Sequence, residues 1–176
     1  RILSERLRQS YGIRDRALDW FVSYLSGRSQ QVRFNGQTSA SVFLTCGVPQ
    51  GSVLGPILFL LYTADAIAII RKHGSHAHAY ADDLQLYDHS DPGSVALLIP
   101  RLSACVMEIE QWMSSNRLRL NPSKTELIWL GSEHNLKECS SEPQLIANAW
   151  ITPSPCVRDL GVMVDNEMTM TSHISH

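Results

Sequence analysis

Residues 47–56 limit the fold more than any other segment, because they read Gly-Val-Pro-Gln-Gly-Ser-Val-Leu-Gly-Pro. Three glycines and two prolines among these ten residues cannot continue a helix or a strand. The residues that follow are mostly apolar up to about residue 72, and Pro56 suits the first turn of a helix. The sequence therefore predicts a shaped loop that leads directly into a buried core helix.

Two pairs of β-prone stretches predict hairpins. Residues 76–88 read His-Ala-His-Ala-Tyr-Ala-Asp-Asp-Leu-Gln-Leu-Tyr-Asp, which places Asp82 and Asp83 between the stretches and therefore at a hairpin tip. Farther upstream, an Asn-Gly pair at 35–36 lies in the middle of residues 29–45. Asn-Gly is the strongest short-range signal for a two-residue turn, so a second hairpin is expected there.

Apolar residues spaced three and four apart predict two amphipathic helices, over residues 14–26 and 94–116. Further strands are expected at 126–130, near 144–151 and near 159–165. Paired strands with long apolar helices make an α+β fold, in which the helices pack mainly on one face of an antiparallel sheet.

Composition excludes several classes of protein. With 176 residues, 44% hydrophobic and 18% charged, the chain fits one packed domain and not a disordered protein. The scattered cysteines form no C-x-x-C motif, and His73, His76 and His78 lack a matching partner cluster, so a zinc site is not expected. A proline and an aspartate interrupt the apolar run at 53–70, and the N-terminus does not resemble a signal peptide. We therefore expect an intracellular protein of the cytoplasm or nucleus, with no membrane partner.

The charge distribution is uneven. A net charge of −2 by itself gives no indication of nucleic-acid binding. Residues 1–36, however, contain seven arginines and three acidic residues. Such a segment fits either a phosphate-binding face or a solvated helix surface, and charge alone favours the second.

The adjacent Asp82 and Asp83 are the residues that most strongly indicate chemistry. Neighbouring side chains on a strand point to opposite faces, but at a hairpin tip one carboxylate can turn into a cleft. A divalent cation relieves the repulsion between such carboxylates, and ligands that are all oxygen suit magnesium. On this pair alone, an ordinary acidic turn remains the alternative.

Four segments together resemble the reverse transcriptases of non-LTR retrotransposons in order and spacing. They are GVPQGSVLGPILFLLYTAD at 47–65, YADD at 80–83, NPSKTE at 121–126 and RDLGV at 158–162. The resemblance, which residues 11–32 share, implies a right-hand polymerase palm over 1–165, with the start of a thumb or a linker at 166–176. It also implies an RNA-directed DNA polymerase that uses an RNA template, a DNA primer and deoxynucleoside triphosphates.

The same resemblance assigns roles to individual residues. Asp82 would be the principal metal ligand, and Asp83 would have a lesser part. Two Mg²⁺ ions about 3.5–4 Å apart would activate the primer 3′-hydroxyl and stabilise the departing pyrophosphate. Lys124 would donate a proton to pyrophosphate, although a solvated turn lysine is favoured on sequence alone. Nucleotide and template contacts are implied for Pro49, Gln50, Gly51, Tyr80 and Ala81, and a primer grip for Leu160, Gly161 and Val162. For the loop at 49–51, the alternative is a tight turn that only caps the helix behind it. For residues 160–162, the alternative is a plain edge hairpin.

The chain departs from this family in one functional respect. Such polymerases need a third carboxylate from an upstream strand, and no F-x-x-x-D sequence stands before the first matched segment. Asp65 lies on the predicted core helix and Asp88 about 17 Å from the tip, so neither is expected to replace it. We therefore expect the chain to bind both Mg²⁺ ions, and to polymerise DNA, only when that upstream aspartate is present. Two alternatives stay open: a decayed or domesticated remnant that binds at most nucleic acid or protein, and an unrelated metal-dependent phosphotransfer domain.

Overall fold

The computed structural model describes residues 2–49 and 51–175, and these residues adopt an α+β fold of helices and short antiparallel hairpins. The helices are α1 (Ile2–Gln9), α2 (Asp15–Leu25), α3 (Leu54–Lys72), α4 (Leu98–Ser115), α5 (Glu133–Leu136) and α6 (Thr171–Ile174). The strands are β1 (Ser29–Gln30), β2 (Arg33–Phe34), β3 (Gln37–Thr38), β4 (Val42–Phe43), β5 (His76–Tyr80), β6 (Asp83–Tyr87), β7 (Gln144–Ile146), β8 (Ala149–Ile151), β9 (Cys156–Asp159) and β10 (Val162–Asp165). Short 3₁₀ helices form at Pro92–Leu97 and Pro122–Lys124.

The chain divides into two compact units. The first contains the chain up to Asp65 together with Ala79–Asp83, and the second contains Ala66–His78 and the chain from Leu84 onward. The glycine-proline loop and the tip of the acidic hairpin therefore belong to the same unit.

In the first unit, α1 is tied to the first half of α3. Leu7 of α1 is fully buried. Its neighbour Arg6 forms an ion pair with Asp65 at 2.9 Å and also donates a hydrogen bond to the carbonyl of Tyr62. The charged side chain of Arg6 therefore ties this short helix to α3.

The first hairpin follows α2, whose predicted position is confirmed. Asn35 and Gly36 have φ angles of +46° and +74°, so they form the two-residue turn that the sequence predicts. The strands on either side are shorter than expected, because the ladder divides into a β2–β3 pair beside the turn and a β1–β4 pair farther from it. All the strand residues of this hairpin are exposed.

The second unit is built around a small core shared by α3, α4 and the β5–β6 hairpin. Ile70 and Cys105 are fully buried, and Ile109 is 2% exposed. The apolar side chains packed against them are Ile69, Ala77, Leu84, Leu86, Met113 and Leu120. Burial, helped by the nearby carboxylates of Glu108 and Asp88, raises the pKa of the Cys105 thiol to about 11. The face of the acidic hairpin that contacts the helices is therefore the face that carries alanine and leucine.

Two predictions about strands are wrong. The strands of the described residues form five separate two-stranded ladders, not one continuous antiparallel sheet. Residues 126–130 form no strand, although the carbonyl of Leu127 accepts a hydrogen bond from the amide of Ser154 at 2.8 Å. β-prone residues become a strand only where a partner strand lies beside them, and propensity alone does not supply one.

The prediction of a buried core helix holds for only one side of α3. Leu58, Ala66 and Ile70 are buried, whereas Ile57 and Leu60 are 50% and 46% exposed. By length and composition alone, α3 and the helical stretch Pro92–Ser115 would both be able to cross a membrane. Each of these helices also places side chains in the core of the second unit.

Candidate active site

The acidic pair lies at the tip of the β5–β6 hairpin, as predicted. Strand β5 ends at Tyr80, strand β6 begins at Asp83, and Ala81 and Asp82 form the turn between them. Ala81 has a φ angle of +53°, in the left-handed region that costs a residue with a side chain about 1–2 kcal/mol. The short turn between two paired strands imposes this conformation, and it places the two carboxylates at the end of the hairpin.

Both carboxylates are available to a ligand. Asp82 and Asp83 are exposed, and within the described residues neither side chain forms a hydrogen bond or an ion pair with another side chain. Their donor set consists of carboxylate oxygens, which fits magnesium, since that ion binds through one or two carboxylates and completes its shell with water and phosphate oxygens. No group of three histidine, cysteine, aspartate or glutamate side chains that could hold a metal occurs among the described residues.

The two aspartates excluded on sequence grounds as metal ligands have other partners. Asp65 pairs with Arg6. Asp88, only 4% exposed, pairs with Arg101 at 2.6 Å and accepts hydrogen bonds from the Ser75 hydroxyl at 2.9 Å and the His89 amide at 2.8 Å. The Asp88 contacts fix the base of the hairpin to α4, and sequence reasoning missed this role.

Two of the histidines near the acidic pair, His73 and His76, have side-chain partners. His73 contacts Glu108 at 2.8 Å, beside an ion pair between Lys72 and the same carboxylate at 2.7 Å. These cations hold the pKa of Glu108 below its ordinary value, chiefly through the hydrogen bonds from Lys72 and His73. His76 stacks on Tyr87 with ring centroids 5.4 Å apart. The contacts of Lys72 and His73 with Glu108 tie the end of α3 to α4.

The glycine-proline loop is held by a residue that the sequence did not single out. Arg28 donates hydrogen bonds to the carbonyls of Leu25 and Cys46 at 3.1 and 3.2 Å, and a further one to the carbonyl of Gly47. Gly51 has a φ angle of +77°, which favours glycine at this position. Gln50 lies outside the described residues, so its implied contact with the template and the nucleotide stays a prediction.

At the other end of the loop, Gly55 allows close packing. A Cβ atom added at Gly55 would lie 3.1 Å from the Ser52 hydroxyl and 3.5 Å from Val48. The same hydroxyl accepts a hydrogen bond from the Gly55 amide at 3.1 Å, just inside the start of α3. The loop thus also caps the helix, as the structural alternative proposed.

Several arginines of the basic N-terminal segment bind other groups of the chain. Arg6 pairs with Asp65, Arg8 pairs with Glu5 at 2.5 Å, and Arg28 binds backbone carbonyls. These contacts account for three of its arginines as structural residues. Of the three, only the exposed Arg8 fits the solvated helix surface that charge alone favoured, because the Arg6 side chain is 10% exposed and Arg28 lies outside the helices.

The predicted proton donor and the predicted primer grip lie in the second unit. Lys124 ends the 3₁₀ helix Pro122–Lys124 and is exposed. Leu160 and Gly161 have φ angles of +46° and +90° and form a two-residue turn between β9 and β10. Next to this turn, the Gln85 side-chain amide donates a hydrogen bond to Asp159 at 2.6 Å. The hairpin predicted at RDLGV is confirmed as a hairpin, and its role in primer binding stays a prediction.

Comparison with known proteins identifies relatives over nearly the whole chain. A sequence model of the reverse transcriptase (RNA-dependent DNA polymerase) family matches residues 4–164. The chain is 28% identical over 162 residues to a probable RNA-directed DNA polymerase from transposon X-element of Drosophila melanogaster, a match that covers 87% of this chain and 16% of that protein. It is 25% identical over 158 residues to the RNA-directed DNA polymerase from mobile element jockey of Drosophila funebris, covering 87% of this chain and 17% of that protein.

The extent of these matches decides what they establish. This chain spans only 16% and 17% of the lengths of these two relatives. No solved structure matches it significantly. The family match at 4–164 nevertheless includes the glycine-proline loop, the acidic hairpin and most of the β9–β10 hairpin. The chain therefore belongs to the reverse transcriptase (RNA-dependent DNA polymerase) family.

Proposed function

We propose that this chain is the palm part of an RNA-directed DNA polymerase that copies the RNA of a non-LTR retrotransposon. The observation that carries the proposal is the β5–β6 turn, which places Asp82 and Asp83 side by side, exposed and without side-chain partners among the described residues. The family match and the names of the relatives support the substrate class.

In this proposal the two aspartates are metal ligands. Two magnesium ions, when bound, supply activation of the primer 3′-hydroxyl and stabilisation of the departing pyrophosphate. Asp82, in the turn itself, contributes the principal carboxylate, and Asp83, at the first position of β6, has a lesser part. Tyr80 and Ala81 lie beside them in sequence and would contact the primer end and nucleotide.

The other roles concern binding and proton transfer. Pro49, Gln50 and Gly51 would lie against the templating base and the incoming nucleotide, because a glycine backbone permits close approach and an amide can pair with a base edge. The exposed Lys124 would donate a proton to pyrophosphate. Leu160–Val162 would form the primer grip. Residues 1–165 would be palm and 166–176 the start of a thumb or a linker, in a protein that works in the cytoplasm or nucleus.

The test is a chimaera in which this chain replaces the matched region of the X-element polymerase. The assay is magnesium-dependent primer extension on an RNA template. Asp82→Asn keeps the side-chain shape but removes a negative charge, so the extension rate should fall by about 100-fold or more. Asp83→Asn should have a smaller effect. The matched control is Asp91→Asn, at an exposed aspartate outside the hairpin, and it should leave the rate unchanged.

Two outcomes would contradict the proposal. An Asp82→Asn chimaera that extends primers at the parental rate would show that the chemistry does not depend on this carboxylate. A chimaera that folds and binds the primer–template, but shows no extension with the parental sequence, would instead support a decayed or domesticated remnant.

A further inference from the structure

A single side-chain contact connects the acidic hairpin to the β9–β10 hairpin. Gln85 Nε2 donates a hydrogen bond to Asp159 Oδ1 at 2.6 Å, between residues 74 positions apart in the sequence. Both side chains are half-buried. Because the acceptor is a carboxylate, the bond is charge-assisted and stronger than one between neutral groups. In the described part of the chain it is the one side-chain hydrogen bond that joins these two hairpins.

The positions of the two residues within their strands give the contact its significance. Gln85 lies two residues after Asp83 in β6, about 7 Å along the strand. Asp159 is the last residue of β9, and across the ladder it pairs with Val162, the first residue of β10. The hydrogen bond therefore joins the strand just behind the acidic tip to the residue that immediately precedes the Leu160–Gly161 turn.

The polarity of Gln85 is explained by its side of the strand. The neighbouring Leu84 and Leu86 pack against the apolar core, and alternation along a strand sends the side chain between them to the opposite face. On that face the Gln85 amide donates its hydrogen bond to the Asp159 carboxylate. The far end of β10 is held separately, because Asp165 accepts hydrogen bonds from the amide and the hydroxyl of Thr169. The bond from Gln85 to Asp159 therefore anchors the end of the hairpin at which the β9–β10 turn lies.

We propose that Gln85 and Asp159 are positioning residues that hold the β9–β10 turn in a fixed place against strand β6, and so position a primer strand gripped at that turn. This inference rests on the proposed polymerase function. Neither residue touches the reacting atoms. Loss of their hydrogen bond leaves the metal-binding carboxylates intact and loosens the grip on the primer.

The expected effect is specific to the primer. In the chimaera described above, Gln85→Leu or Asp159→Leu should raise the KM for primer–template about tenfold, with the KM for the nucleotide changed less than about twofold, since small misplacements of a bound substrate are costly. A merely structural role would lower the amount of active enzyme and leave both KM values unchanged. Fluorescence anisotropy of a labelled primer–template gives the matching dissociation constant without relying on turnover.

Three further variants sharpen the result. Asp159→Asn keeps an oxygen acceptor and should restore most of the primer affinity. The double variant Gln85→Leu/Asp159→Leu should be no worse than either single variant, because both remove the same bond. The matched control is Gln111→Leu, at an exposed glutamine of α4, which should leave primer affinity unchanged.

The outcomes separate this inference from the proposed function. Unchanged primer affinity in Gln85→Leu and Asp159→Leu, or additive losses in the double variant, would overturn it. If Asp82→Asn abolishes extension while these variants bind primer normally, the positioning role alone fails. If Asp82→Asn has no effect, the polymerase assignment itself fails. Should Gln85→Leu not fold, Asp159→Leu with its Asp159→Asn counterpart makes the same comparison.

Discussion

Asp88 illustrates how one buried carboxylate fixes the base of the acidic hairpin. Burial by itself would raise its pKa, but hydrogen bonds from the His89 amide and the Ser75 hydroxyl, together with the charge of Arg101, outweigh that effect. They hold the pKa of Asp88 below its ordinary value. The ionised form is therefore the one that the folded chain stabilises.

The stability of the chain should depend on pH through this residue. A carboxyl whose folded pKa lies below its unfolded value of about 3.9 contributes stability that is present above that pH and is lost as pH falls through the folded pKa. Asp88→Asn should lower the free energy of unfolding at neutral pH by about 2 kcal/mol and reduce its loss on acidification below about pH 4. Urea unfolding at neutral and acidic pH measures both quantities. Asp91→Asn is the control, and identical pH profiles for the two variants would contradict the expectation.

Individual residues were predictable where their role is local. Asp82 and Asp83 could be placed at a tip because the β-prone stretches on both sides define the turn. Arg28, Gln85 and Asp88 could not be identified, because each acts on a residue far away in the sequence, and nothing in the surrounding residues specifies that partner. Long-range polar contacts of this kind become visible only when the chain is folded.

Among the elements, α4 was the most readily predicted, and its two sides differ in exposure. Leu98, Cys105 and Ile109 recur on its buried side, a spacing that the sequence displays directly. The strand predicted at 126–130 has apolar residues of the right type, yet none of the strands among the described residues pairs with them. Helices satisfy their own hydrogen bonds, whereas a strand depends on a distant partner, so periodicity is the more reliable signal for a helix.

The two sides of α4 should respond differently to truncation. Ile109→Ala removes a side chain that is 2% exposed and should lower the free energy of unfolding by about 3 kcal/mol, through lost burial and the cavity left behind. Met107→Ala, two residues earlier and 41% exposed, should cost less than about 1 kcal/mol. Urea unfolding of both variants makes the comparison. Equal losses would mean that α4 does not bury the side described above.

For the whole molecule, the α+β class was predictable and the pairing of strands was not. Each observed ladder joins two strands of one hairpin, a pairing that a short turn such as Asn35-Gly36 specifies locally. Pairing between hairpins is not encoded by any local signal, so the paired stretches and apolar helices predicted the fold class but not how the hairpins are joined.

The 176-residue chain by itself should not extend a primer. Two carboxylates at one hairpin tip provide too few fixed anionic ligands for two magnesium ions, which bind through carboxylates from more than one element. The measurement is primer extension on an RNA template, with circular dichroism to establish that the chain is folded and with the chimaera as positive control. Robust extension by the chain alone, abolished by Asp82→Asn, would show that the tip suffices.

The separate ladders of the described residues have a consequence for how the chain behaves at high concentration. A strand paired on one side only leaves a row of amide and carbonyl groups along its other side, and such rows bind any extended backbone that reaches them. The extended backbone of a second copy of the chain can form hydrogen bonds with these groups. The extent to which copies of the chain associate should therefore rise with its concentration.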